Sequence, residues 1–180
     1  MQVPDPQAGA TPQFTPNAAH LVRTALQANL TLSQVADQKA SILMGATFLV
    51  LTLSVGQAVK GNVPPALLVL GATALVSATL AILALMPKVT ASGSDVPESA
   101  NLLFFGVYAH LSEEEFAGRV MDMLNNDEAI FRAMLRDMHQ NGVVLARKKY
   151  RLLGYAYRAF LTGLGLTLTT FLAEHSGLIG

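Results

Sequence analysis

The chain has 180 residues, of which 52% are hydrophobic and only 13% charged, with a mean hydropathy of +0.42. The charged share is about half the roughly 25% usual for a soluble domain, so composition alone points to a membrane protein. Twelve Lys and Arg balance twelve Asp and Glu, which removes the basic surplus expected of a nucleic-acid-binding chain, and the lack of cysteine excludes disulfides, thiol catalysis and cysteine metal sites.

Met1 to Pro16 contains Pro4, Pro6, Pro12 and Pro16 and few large apolar residues. It reads as a flexible tail ahead of a single domain over 17–180. No apolar run with a small-residue cleavage site occurs in the first 40 residues, so no removable signal peptide is expected. From Asn17 onward, Ala18, Leu21, Ala25, Ala28, Leu32 and Val35 alternate spacings of three and four. This spacing predicts a helix with a narrow packing seam. Asn29, Ser33 and Asp37 recur every four positions along one side of it, while Lys39 extends the apolar side. The same helix runs without a break into the charge-free stretch Ile42 to Val59, a predicted membrane span over about 41–59.

Lys60 to Pro65 is a short turn, and a second charge-free run predicts a span over 66–86, ended by Pro87 and Lys88. Gly45, Gly56 and Gly71 are candidates for close helix approach. Val89 to Glu98 reads as a loop, and 101–110 is too short and aromatic to span a membrane, suiting a segment packed on cytosolic helices. Ser112 and Glu115 have capping-box spacing. A short helix follows, presenting Phe116, Val120 and Met123 on one side. Asp127 is expected to cap a long helix with Phe131, Leu135, Met138 and Leu145 on its buried side. That helix crosses the basic cluster Arg147, Lys148, Lys149 and Arg151 into a third span over 152–173, with Arg158 snorkelling toward headgroups.

Basic residues border the spans at Lys39, Lys88 and the 147–151 cluster, against Lys60 alone in the hairpin turn. The positive-inside rule then places the N-terminus, 17–40 and 88–151 in the cytoplasm and the C-terminus outside. The expected fold is an all-α, multi-pass membrane protein of three transmembrane helices, the first and third extended into a cytosolic helical bundle.

These two long helices run parallel, reaching the bilayer near Ser41 and Leu152. An offset of about 111 residues, at a rise of about 1.5 Å per residue, predicts Asp37 level with Arg147 or Lys148. The same matching sets Asn29 level with His139, Gln140 or Asn141. A polar pocket beneath the membrane is one outcome. Topology anchoring by Lys39 and the basic cluster, and plain interhelical hydrogen bonding by Asn29 and Asp37, are the other. Arg132 and Arg136, four apart, suit either a phosphate or a solvated face. His20, His110, His139 and His175 lack metal-ligand spacing. No glycine-rich phosphate loop and no nucleophile–base pair occurs, so neither an enzyme nor a metal site is expected.

Asn29 with Ala36-Asp37-Gln38-Lys39-Ala40-Ser41, then Asn101-Leu102-Leu103-Phe104-Phe105-Gly106 with Tyr108-Ala109-His110-Leu111, then Leu145-Ala146-Arg147-Lys148-Lys149-Tyr150 before Leu152-Leu153, form an ordered set. In this order, over about Leu21 to Phe171, the chain resembles the Pycsar effector family of small bacterial transmembrane proteins. The resemblance implies anti-phage defence at the bacterial inner membrane. A cognate cyclase would make a cyclic nucleotide messenger, and the effector would sense it and impair the membrane as a homo-oligomer. The ligand-binding or coupling set on this reading is Asn29, Asp37, Lys39, Tyr108, His110, Arg132, Arg136 and Lys148. Arg or Lys would meet the phosphate, and Tyr108, with Phe104 and Phe105, would meet the base. No further cofactor, metal or nucleic acid is expected. The competing readings are a membrane-anchored adaptor that recruits a soluble partner and a ligand-independent pore former of the holin type.

Overall fold

The computed structural model describes residues 14–61, 63–86 and 96–177. Among these every regular element is helical, without strands. Helix α1 (Ala18–Val59) is one unbroken helix of 42 residues, as its uninterrupted periodicity predicts. Helix α2 (Pro65–Leu85) starts on Pro65 at its first position, where a missing N–H costs no hydrogen bond. Between them Gly61 adopts a φ of 81° just past the end of α1, a left-handed conformation that glycine accepts without a Cβ penalty. Next come α3 (Phe105–Tyr108), α4 (Glu113–Leu124) and α5 (Asp127–Val144), then a six-residue π-helical segment (Leu145–Tyr150) and α6 (Arg151–His175). Lys88, Pro87 and most of the expected 89–98 loop lie outside the described residues, as do positions 1–13 of the expected tail. Phe14, within that stretch, stacks at a tilt on Phe131 with centroids 4.6 Å apart.

The chain divides into two compact units: a polar one from the N-terminus to Leu30 with Val89–Asn141, and an apolar one of Thr31–Lys88 with Gly142–Gly180. In the apolar unit, Ala36, Ala40, Leu43, Ala81, Leu145, Leu153 and Ala156 form the core. Small residues set its geometry. Ser77 is fully buried, and its hydroxyl donates to the Ala156 carbonyl at 2.8 Å, joining α2 to α6. Gly163 is buried against Thr73, so close that an added Cβ would overlap the Thr73 side chain. Of the three glycines expected to mediate packing, Gly71 touches Ser54, with the Ser54 Cβ 3.4 Å from where a Cβ would stand. Gly45 and Gly56 face open space: a Cβ added at either would meet nothing within 4 Å.

Helices α1 and α2 are long and apolar enough to cross a membrane. Helix α6 has 25 residues and exposes Leu161, Leu166, Leu168, Phe171 and Leu172, but Arg158 and its tyrosines and threonines dilute its apolar character. At its end Glu174 accepts from the Ala66 amide at 2.8 Å, which caps the α2 N-terminus that Pro64 leaves without a side-chain partner.

In the polar unit, Ser112 caps α4 by accepting from the Glu115 amide at 3.2 Å. Glu115 does not return the bond to Ser112; its carboxylate pairs with Arg119 at 2.6 Å, a stronger charged partner one turn on. The cap of α5 is Asn126, not Asp127: the Asn126 amide oxygen accepts from Glu128 N at 2.8 Å and Ala129 N at 3.4 Å. Leu135, expected on the buried side of that helix, is 45% exposed, and α5 buries no residue fully.

Candidate functional site: an arginine-lined cavity and a lysine–carboxylate clamp

Two polar constellations stand out, one in each unit. In the polar unit a cavity of about 460 Å³ opens among the segment from Glu98 to Leu102, α4 and α5. That volume lies in the range of small-molecule sites. Arg119, Arg132 and Arg136 line it with Glu98, Asp122 and Asn101, over apolar patches of Leu102, Met123, Ala129 and Ala133.

Each arginine is held differently. Arg119, largely sheltered, donates to the carbonyls of Val96 and Pro97 at 3.2–3.3 Å as well as to Glu115. Arg136 donates to the Ser99 carbonyl. Arg132, with a side chain 77% exposed, binds one Glu128 oxygen through Nε and Nη2 at 2.7 and 2.6 Å. One edge of its guanidinium is thereby used, and the other still points donors outward. Asn101 is buried and donates to Asp137 at 3.0 Å and Gln140 at 2.9 Å, while its own oxygen accepts from Leu103 N. It therefore pins the start of the 101–110 segment to α5. Asp137 accepts a further bond from Asn141.

In the apolar unit, Lys149 Nζ meets both oxygens of Asp37 at 2.7 and 2.8 Å and the Ser33 hydroxyl at 2.8 Å. The polar stripe of α1 thus faces the basic cluster, one residue beyond the level expected. The partner is Lys149, neither Arg147 nor Lys148. The level argument assumed an ideal α-helix, whereas Leu145–Tyr150 is π-helical, and its wider turn changes which side chain is rotated toward α1. Lys148 instead donates to the Met86 carbonyl at the end of α2. Tyr150 and Tyr157 reinforce the seam by donating to the Leu32 and Lys39 carbonyls at 3.4 and 3.2 Å.

The remaining expected residues separate. Asn29 donates to the Met138 carbonyl at 3.3 Å, one position before the expected His139. Lys39 is exposed, and its backbone rather than its side chain makes the Tyr157 bond. Tyr108 packs on Phe116 with centroids 5.2 Å apart, and His110 is exposed; neither lines the cavity. Of the eight, the cavity gathers Arg132 and Arg136. Arg119, Glu98 and Asp122 were missed as cavity residues. Arg119 carried only a weak signal, its i,i+4 spacing from Glu115.

Among the described residues no group of His, Asp and Glu is arranged to hold a metal ion. No curated protein and no solved structure matches the chain. With residues 20–174 matching the family model for the Pycsar effector protein domain, the chain belongs to the Pycsar effector family, which supports a membrane effector in anti-phage defence.

Proposed function

We propose that the protein is a three-span effector of the bacterial inner membrane that senses a cyclic nucleotide through cytosolic helices and impairs the membrane as an oligomer. In this reading α1, α2 and α6 are the spans. The N-terminus and the polar unit lie in the cytoplasm and the C-terminus outside, on the strength of the basic cluster bordering α6. The family is linked to cyclic-nucleotide signalling from a cognate cyclase, which supplies the messenger.

The observation that carries the proposal is the continuity of α1. One 42-residue helix holds Asn29, bonded within the polar unit, and Thr47, fully buried within the apolar unit. An unbroken helix with ends of such different chemistry suits a device that converts ligand binding into a change among spans. The exposed apolar side chains of all three proposed spans supply surface for lipid and for further copies of the chain. A messenger shifts such an assembly only by binding its states unequally. Asp37 and Lys149 act here as a lock between helices, and not as ligand contacts.

The test is dye release from liposomes that contain the purified protein, with calorimetry in parallel. Binding of cyclic uridine or cytidine monophosphate together with messenger-dependent release is the expected result. Leakage without messenger would favour a ligand-independent pore former, and neither binding nor leakage would favour the adaptor.

A further inference from the structure

We propose that the side of α6 bearing Arg151, Gly154, Tyr155 and Arg158 is a binding site for the headgroup of an anionic phospholipid of the phosphatidylglycerol class. The inference rests on the reading of α6 as a membrane span. It starts from a charge that topology leaves unexplained. The positive-inside rule accounts for Lys39 and the cluster from Arg147 to Arg151, which border the bilayer. Arg158 stands seven residues, or about 10 Å, further along α6 than Arg151. At that depth an unpaired guanidinium is costly and marks a site, and its partner has to be named.

The apolar unit holds no such partner. Asp37 and Glu174 are the acidic side chains in its sequence. Lys149 occupies Asp37, and Glu174 accepts from the Ala66 amide at the far end of α6. Arg151 and Arg158 are exposed, and neither guanidinium forms a hydrogen bond or ion pair with another described residue.

The same side of the helix is shaped to receive a headgroup. Spacings of four and three put Arg151, Tyr155 and Arg158 in line, with Gly154 between the two arginines. A Cβ at Gly154 would meet nothing within 4 Å, so the surface is notched there and open. Helical side chains lean toward the helix N-terminus, which directs Arg158 back over Gly154 toward the headgroups. Tyr155 is 49% exposed and its hydroxyl bonds no described residue, whereas Tyr150 and Tyr157 hold carbonyls of α1. It adds a donor at the level where aromatic residues meet headgroups. Beyond Arg158, the exposed Leu161 and Leu172 continue this side for an acyl chain. A phosphodiester takes the forked donors of both arginines. The ammonium of phosphatidylethanolamine meets cations and no carboxylate here, which sets the preference for the anionic lipid. A phosphate so held fixes the height of α6 in the bilayer, and with it the Lys149–Asp37 clamp just below Arg151.

The experiment is native mass spectrometry of the full-length protein released from nanodiscs of mixed phosphatidylglycerol and phosphatidylethanolamine. Retention of phosphatidylglycerol is expected to exceed that of phosphatidylethanolamine at least about tenfold at equal content. Arg158→Gln is expected to lower retained phosphatidylglycerol about tenfold, with Arg158→Lys, a point charge without the fork, in between. Gly154→Leu keeps every charge but fills the notch, and is expected to lower retention about as much as Arg158→Gln, with unchanged circular dichroism. Undiminished retention in the Arg151→Gln, Arg158→Gln double variant would overturn the site, as would equal retention of the two lipids. Dependence on the arginines without dependence on Gly154 would reduce the site to diffuse attraction and overturn it. Displacement of the lipid by soluble glycerol phosphate would reassign the arginines to a soluble anion, and a second copy of the chain retained there in place of lipid would make this side a protein interface. The span is tested separately on the cysteine-free chain, where Ser176→Cys is expected to react with a membrane-impermeant maleimide added outside intact spheroplasts. Such labelling without lipid preference would overturn the lipid site and leave the span standing. Labelling only after lysis would overturn both.

Discussion

The two units are held together by different chemistry. In the apolar unit, α2 buries Ala66, Ala74, Ser77, Ala81 and Ala84, and α6 buries Leu153, Ala156 and Gly163. On the three-span reading proposed above, lipid offers no hydrophobic incentive for these helices to associate, so their interface relies on close approach and van der Waals contact, for which small residues are suited. In the polar unit, α4 and α5 bury no residue fully. Beside the buried Val22 and Val96 and the Phe14–Phe131 and Tyr108–Phe116 ring pairs, side chains that grip backbone carbonyls, or each other, hold it: Arg119 on Val96 and Pro97, Arg136 on Ser99, Asn29 on Met138 and Asn101 on Asp137 and Gln140. A packed interface has one arrangement, whereas polar grips can be exchanged for a ligand or for water. The polar unit is therefore expected to open at lower free energy than the apolar one.

The comparison breaks most sharply at Gly163. Gly163→Ala drives a Cβ into Thr73 and is expected to cost about 3 kcal/mol, the upper end for overpacking a core. Gly165→Ala two positions on, where nothing lies within 4 Å, is expected to be neutral. Thermal unfolding in detergent reads both. Thr73→Gly should recover part of the Gly163→Ala loss, whereas equal melting of the two alanine variants would mean that close approach does not hold α2 to α6.

The matching test on the polar unit is Asn101→Ala. It strands Asp137 and Gln140 without their buried donor and is expected to cost about 2 kcal/mol. The effect should be local: hydrogen exchange should speed up in 96–111 while α2 and α6 keep their protection. Uniform loss of protection over the whole chain would show that the units do not open independently.

The long helix α1, its membrane stretch, the Ser112 cap and the facing of Asp37 toward the basic cluster were all legible in the sequence, because periodicity and rise are properties of the chain itself. What escaped reading depends on partners that leave no pattern. Arg119 and Arg136 bind main-chain carbonyls, and any residue type supplies one. Gly163 looks like every other glycine in an apolar helix until Thr73 is opposite it. Lys149 in place of Lys148 follows from π-helical turns that the sequence Leu145–Tyr150 does not announce. For the candidate site, the i,i+4 pair Arg132 and Arg136 was visible, but the carboxylates that face them come from other segments.

A smaller effect is expected from the Asp37–Lys149 clamp. Its side chains are 44% and 21% exposed, so solvent screens the pair, and Asp37→Ala should cost about 1 kcal/mol or less. The double-mutant cycle with Lys149→Ala should show coupling, and the cycle with Lys148→Ala should show none. Exchanging the two as Asp37→Lys with Lys149→Asp should recover part of the loss, although Ser33 then faces a carboxylate. Coupling to Lys148 as strong as that to Lys149 would place the register one residue away from the observed one.

The smallest expected effect is at Ser77, and it separates the two modes of cohesion most cleanly. Its hydroxyl joins α2 to α6 within their buried seam by donating to the Ala156 carbonyl. If polar grips carried the apolar unit as they carry the polar one, Ser77→Ala would rival Asn101→Ala. Hydrogen bonds between membrane helices average about 0.6 kcal/mol, because the separated helix bonds the hydroxyl to its own backbone. Neighbouring Thr73 shows that alternative, donating to Val69 at 2.8 Å within α2. Ser77→Ala should therefore lower stability by about 0.6 kcal/mol, several-fold less than Gly163→Ala, while Ser77→Leu, which keeps no polar group but adds bulk at a fully buried position, should disrupt the seam. A large loss in the alanine variant and a small one in the leucine variant would reverse the assignment and make the hydrogen bond, not the close approach, the source of cohesion between these helices.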